Sequence, residues 1–164
     1  MDYTFHYDSP LGGITMASDG EALVGLWFDG QAHFGAALED EHEPGSPACF
    51  DEALRWLDIY FGGGVPDFTP KLNLRGTAYQ KAVWARLLGI AYGKTTTYGA
   101  LAAEVARDMG RKGSAARAVG GAVGRNPIAL IVPCHRVMGA KGALTGYAGG
   151  LDKKRWLLQM EGII

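Results

Sequence analysis

Hydrophobic and polar positions alternate with one period in the first part of the chain and with another in the second. Tyr3, Phe5 and Tyr7 alternate with Thr4 and His6, which predicts a half-buried strand stopped at Ser9-Pro10. Ile14-Thr15-Met16 and residues 22–28 predict further strands, joined at Asp19-Gly20. Acidic loop material fills residues 39–47. Phe50, Ala53, Leu54, Leu57 and Phe61 then recur at helical spacing until Gly62-Gly63-Gly64 ends the helix. Residues 66–75 read as a linker.

Beyond it the helical period dominates. Thr77-Ala78-Tyr79-Gln80 matches a capping box, and Tyr79, Val83, Leu87 and Ile90 line one face of the helix it opens. After the hydroxyl-rich turn from Tyr92 to Gly99, Thr97 caps a helix whose buried face is Leu101, Ala102, Val105 and Met109, ending at Gly110. Ser114 caps another helix, running to about residue 123. Turned about its axis, that helix places Ala115, Ala118, Val119 and Ala122 towards a core and Gly113, Arg117, Gly120, Gly121 and Gly124 on the opposite side. Each helical glycine costs about 1 kcal/mol relative to alanine. Close approach of a second surface would compensate, and so would tight helix–helix packing. Arg117 favours the first, because burial would strand its charge. Two helices with a short basic turn between them resemble a helix-turn-helix.

The expected architecture is a small antiparallel sheet with a helix over residues 1–75, then a mainly α domain over 76–164. Charge follows the same division. Residues 1–75 hold 3 Lys/Arg against 13 Asp/Glu, and residues 76–164 hold 13 against 4. A basic second half suits a polyanionic partner. No apolar run is long enough to span a bilayer, and the N-terminus lacks a signal-peptide pattern. Two cysteines, Cys49 and Cys134, argue against a disulfide framework and for a reducing cytoplasm. His6, His33, His42 and Cys49 lack metal-ligand spacing, so no metal is expected.

Candidate chemistry concentrates in Asn126-Pro127-Ile128-Ala129-Leu130-Ile131-Val132-Pro133-Cys134-His135-Arg136. Pro133 fixes its own φ and pushes Val132 towards extended backbone, so Cys134 is presented with little freedom. A thiol beside an imidazole is a candidate activated nucleophile or a buried packing residue with a neighbour. Residues 139–150 form a glycine-rich loop around Tyr147, suited to a flat ligand or to a plain hairpin. Asp152 caps a last helix with Trp156, Leu157 and Met160 inward and Lys153, Lys154 and Arg155 near its start. Glu161 in the last turn opposes the helix dipole, and His135 is its natural partner.

Taken in order, these motifs resemble the O6-alkylguanine-DNA alkyltransferase family. Pro133-Cys134-His135-Arg136 matches its signature and Thr97-Tyr98-Gly99 its Thr-Tyr-Gly element. Arg117-Ala118-Val119-Gly120 matches its recognition helix, Gly146-Tyr147-Ala148-Gly149-Gly150 its loop, and Leu157 through Glu161-Gly162 its terminus. The resemblance runs over residues 76–162; the first half shares only Ser9-Pro10-Leu11-Gly12 and the strand–helix order. Departures are Ala91 where the family has proline, Tyr79 for phenylalanine, Ala148 where some members have serine, and a longer connection over residues 105–112.

The resemblance implies a ribonuclease H-like first domain and a winged helix-turn-helix in the second. It implies transfer of an alkyl group from O6-alkylguanine in double-stranded DNA, with O4-alkylthymine as a further candidate lesion, to Cys134 of a monomer without cofactor. His135, Glu161, Asn126 and Tyr98 would assist the chemistry. Arg117, Tyr98, Ser114, Ala118, Gly121, Arg125 and Arg136 would meet DNA, and Tyr147, Val137, Ala148 and Gly149 would line the lesion pocket. Two other readings are a lesion-binding module that does not transfer the group, against which Cys134 speaks, and a cysteine hydrolase.

Overall fold

The computed structural model describes residues 1–113 and 115–164. The chain divides into two compact units. Met1–Arg75 with Pro127–Ala129 form the first; Gly76–Asn126 with Leu130–Ile164 form the second. A single cut near residue 75 does not contain this exchange of three residues.

In the first unit, β1 (Asp2–Ser9), β2 (Gly12–Ser18) and β3 (Leu23–Phe28) make an antiparallel meander. A short strand, β4 (His42–Pro44), joins β1 in parallel and gives the order β3-β2-β1-β4. The sheet is therefore mixed, where the sequence pattern predicts an antiparallel one. Three residues inside an acidic loop carry no period to read. Helix α1 (Cys49–Phe61) buries Phe50, Ala53, Trp56, Leu57 and Tyr60, with Leu54 and Phe61 only half-buried. All six residues of β3 are buried. Its outer edge is satisfied by chain from outside the meander: Leu23 exchanges hydrogen bonds with Lys71 and Asn73, and Leu26 with Pro127 and Ala129, all at 2.9 Å. The expected linker is thus partly engaged as sheet edge. Unpaired edge groups are costly when buried, which explains why these segments are held there.

The second unit contains α2 (Ala78–Leu88), α3 (Tyr98–Asp108), α4 (Ala116–Gly124), α5 (Leu151–Met160) and a parallel pair of two-residue strands, β5 (Thr96–Thr97) and β6 (Val137–Met138). Thr77 and Gln80 form both halves of the capping box on α2, and the Thr97 hydroxyl accepts from Ala100 N on α3. Helices α2, α3 and α4 pack on one another and bury Val83, Trp84, Leu87, Leu101, Val105, Val119, Ala122 and Val123, and Trp84 donates its indole N–H to Ala122 O at 2.9 Å. Helix α3 closes with Gly110 at φ 65° and an Arg111 N–H bond back to Ala106 O.

Two sequence expectations change here, and a third has no described counterpart. The expected cap Ser114 lies outside the described residues. The core face of α4 is Val119, Ala122 and Val123, whereas Ala115 and Ala118 are exposed: the helix begins at Ala116 and sits turned from the expected orientation. Gly150, at φ 98°, occupies the N-cap of α5 without a side-chain bond, and Asp152 stands in the first turn instead. Among the described residues, no helix is long and apolar enough to cross a membrane.

Asp2 closes the first unit. Its fully buried carboxylate takes two bonds from Arg75, at 2.6 and 2.9 Å, and one from Glu39 N. The Arg75 guanidinium holds its pKa below the usual carboxylate range. Removing one partner of such a pair strands the other, so Asp2→Ala is expected to cost about 2–3 kcal/mol in urea unfolding at pH 7. Because the folded pKa is depressed, this contribution is present above the unfolded value and lost as pH falls through the folded one. The difference between wild type and variant should therefore shrink in acid.

Candidate active site and nucleic-acid interface

Cys134, His135 and Arg136 form one 3-10 turn, entered through Pro133 at φ −82° and ψ 65°. On an extended chain adjacent side chains point apart. The turn removes that obstacle. It is fixed by Arg136 N–H bonding to Pro133 O and Cys134 N–H to Val132 O. Upstream, buried Leu130 has φ 70°, a strained value for a residue with a Cβ. Asn126 braces this bend by donating its amide to Val132 O at 2.7 Å, and its side chain also hydrogen-bonds Cys134.

Cys134 as a whole is only 6% exposed. Burial pushes its pKa up, opposed by the Asn126 bond and the positive charge of Lys154. His135 is wholly buried, with Nε2 2.6 Å from Glu161 Oε2. Burial lowers the imidazole pKa against the pull of that carboxylate. Both directions favour the neutral thiol and neutral imidazole at rest. With Nε2–H donating to Glu161, Nδ1 carries the lone pair and is the nitrogen able to take a proton. A proton so taken would create an imidazolium already facing a carboxylate.

Arg136 is not at a DNA surface. Its guanidinium is buried, donating to Glu161 Oε1 at 2.8 Å, Glu161 Oε2 at 3.2 Å and Ile90 O at 2.7 Å. Three of its five N–H groups are engaged inside the protein and the residue is only 7% exposed, which sets it away from the expected role at DNA. Gly93 N–H adds a further bond to Glu161, at 3.0 Å.

Tyr98 opens α3 and lies between two glycines. A Cβ at Gly120 would meet its ring at 3.9 Å, and one at Gly146 its hydroxyl at 3.7 Å. Burial raises the phenol pKa while a bond to Thr145 pulls against it. Tyr147 keeps a partly exposed ring and a buried hydroxyl, and burial holds its pKa well above 10. Val137 is fully buried in β6; Ala148 and Gly149 are half-buried.

On α4, Arg117, Ala118 and Gly121 are exposed, as is Arg125 at its C-terminal cap. A Cβ at Gly113, Gly121 or Gly124 would meet nothing within 4 Å. Tight internal packing therefore does not explain these glycines, and the open-face alternative stands. Arg111, in the connection before α4, rests over the Tyr79 ring at 5.3 Å. Among the described residues, no three His, Cys, Asp or Glu gather as a metal ion would require.

Sequence reasoning missed Lys154, read as one of three cations near a helix start. It is fully buried. Its spacing from Leu157, Leu158 and Glu161 puts it on the inward face of α5, so a helical projection contains the signal.

Comparisons with known proteins bear on the family. Residues 78–163 match the 6-O-methylguanine DNA methyltransferase DNA binding domain, and residues 2–74 its ribonuclease-like domain. The methylated-DNA–protein-cysteine methyltransferases of Mycobacterium tuberculosis and Methanosarcina acetivorans are each 46% identical to the chain. The first covers 95% of this chain and 92% of its own length, the second 95% and 96%. The crystal structure of Mycobacterium tuberculosis OGT in complex with DNA superposes with a TM-score of 0.81 at 46% identity, over 98% of this chain and 91% of that one. The O6-methylguanine DNA methyltransferase structure from Methanococcus jannaschii gives 0.64 at 30% identity, over 98% and 94%. By its two matched domains and its relatives over nearly the whole length, the chain belongs to the 6-O-methylguanine DNA methyltransferase family.

Proposed function

We propose that this protein repairs DNA by direct reversal, moving the alkyl group of O6-alkylguanine onto Cys134 and being consumed in the process. The carrying observation is a buried thiol in the same turn as a His135–Glu161 pair, in a unit that also presents a glycine-faced helix bearing an exposed cation. A lesion inside the duplex stack cannot meet the thiol of a cysteine that is 6% exposed, so the nucleotide must rotate out. Arg117 would occupy the vacated place, and Tyr98 would crowd the adjoining phosphate.

His135 takes the thiol proton, directly or through water, and Glu161 stabilises the resulting imidazolium. The Cys134 sulfur attacks the alkyl carbon. The S–C bond forms as the O6–C bond breaks, and the electron pair leaves with guanine. Tyr98, whose raised pKa keeps its proton at neutral pH, donates towards the leaving base. The imidazolium's proton then passes to the Tyr98 phenolate, directly or through solvent, so that both residues end neutral. Nothing in the site cleaves a thioether, so the reaction ends there. Two free cysteines fit the reducing cytoplasm in which such a thiol would persist.

Methylated duplex DNA should add one methyl group per chain, on the peptide containing Cys134. Intact-protein and peptide mass spectrometry check this. Repeated turnover would point to a hydrolase, and binding without a mass gain to a lesion-sensing module.

Glu161→Gln should raise the pH midpoint for iodoacetamide alkylation of Cys134 and slow transfer. It should also cost about 3 kcal/mol of stability, because Arg136 loses its counter-charge. A lowered melting temperature with an unmoved profile would leave Glu161 a purely structural role.

Arg117→Ala should slow transfer from duplex DNA about tenfold or more, since part of a few-kcal/mol unstacking cost goes uncompensated. Reaction with free O6-methylguanine base, which has no stack to leave, should stay near wild type. Equal slowing on both substrates in single-turnover kinetics would remove the intercalating role.

A further inference from the structure

Lys154 is the one lysine in the buried set, with no exposed surface, on a face of α5 it shares with Leu157 and Leu158. A leucine there would avoid the several kcal/mol that burying a cation costs. What the ammonium gains is a set of three carbonyls: Val137 O and Thr145 O at 2.6 Å and Gly146 O at 3.1 Å. Val137 belongs to β6. Thr145 and Gly146 belong to the irregular loop that leads into Tyr147, whose backbone has no sheet or helix ladder to satisfy it. Three acceptors converging on one point suit a compact ammonium with three hydrogens better than a planar guanidinium.

The loop is held from a second direction by the Tyr98–Thr145 bond. Tyr98, Tyr147 and Lys154 itself all lie within electrostatic reach of Cys134 once its sulfur ionises. The clasp is therefore built around the thiol.

We infer that Lys154 is a positioning residue for the lesion pocket: its ammonium ties β6 to the loop at Thr145 and Gly146 and so holds Tyr147 and Ala148 in place for an incoming base. This rests on the reading of Cys134 as the alkyl acceptor. The groups facing Lys154 are Cys134 and His135 from the 3-10 turn, with Tyr98 reaching the same loop from α3. Burial brings its pKa down to about 8, while ionisation of Cys134 acts to keep the proton on. Once the proton leaves, two N–H groups remain for three carbonyls.

The experiment compares wild type and Lys154→Met with two probes of the same thiol, free O6-methylguanine base and iodoacetamide. The base must be seated by the pocket; the small electrophile need only reach sulfur. In single-turnover kinetics the half-saturating concentration of the base should rise about tenfold or more, as misplacement of a positioning element does. Iodoacetamide alkylation should stay within about threefold at matched thiolate fraction. General loss of stability would not divide the two probes. Equal slowing with a large upward shift of the thiol's pH midpoint would mean that Lys154 acts as a charge on sulfur, and would overturn the clasp. So would an unchanged half-saturation.

Should the variant not fold, hydrogen exchange on wild type decides. After correction for base catalysis, amide protection over residues 145–149 should fall as pH passes about 8. Flat protection to pH 10 would overturn the inference. A wild type that takes no methyl from DNA would remove the reading of Cys134 and the inference together, whereas a reacting wild type matched by its variant removes the inference alone.

Discussion

A carboxylate withdrawn from water must be met by donors on both oxygens, and Glu161 is met by four. Its side chain has no exposed surface, and it accepts from His135 Nε2, from Arg136 Nε and Nη2, and from Gly93 N. Those donors come from separate stretches of chain: the turn holding Cys134, and the bend between α2 and β5. Glu161 itself stands at the C-cap of α5. One buried charge therefore fixes where three segments of the second unit meet. Arg136 neutralises it, and that leaves the weaker, titratable partner His135 free to change its proton. Without the guanidinium, the carboxylate would favour a permanently charged imidazole, which is no base.

The neighbouring cation, Lys154, solves the opposite problem with a different chemistry. Among the described residues its hydrogen-bond partners are backbone oxygens and not a carboxylate. Two buried charges of opposite sign thus sit seven residues apart on one helix, each satisfied by its own set of partners. The split matters electrostatically. Were they paired with each other, neither the turn nor the loop would be held, and the field at Cys134 would lose its positive contribution.

Much local order was readable where a side chain acts on its own neighbourhood, with the α5 cap and the face of α4 as exceptions. The Thr77–Gln80 box, the Thr97 cap, the end of α3 at Gly110 and the three-strand meander follow from periodicity and capping chemistry. What escaped depends on distant chain. β4 is three residues whose only reason to be a strand is the edge of β1, and residues 71–73 and 127–129 take extended form because β3 presents an open edge. In the site, Glu161 was found because a carboxylate at a helix C-terminus opposes the dipole and calls for a partner. Arg136 was placed at DNA through the family resemblance, since the local sequence carries no sign of its burial. Whether a cation is solvated or buried depends on where its counter-charges fold, and Ile90 and Glu161 lie 46 and 25 residues away. Arg117, on an open helix face, needed no such knowledge.

The burial of Cys134 has a consequence for the lifetime of the molecule. Peroxide and disulfides react with exposed thiolates, and this sulfur is neither exposed nor, by the direction of its pKa, largely ionised at rest. A protein spent by one reaction has no means of replacing a sulfur lost to oxidation. On the proposed role of Cys134, keeping the thiol dormant until a base enters the pocket would preserve each copy as unspent repair capacity through the interval between synthesis and damage.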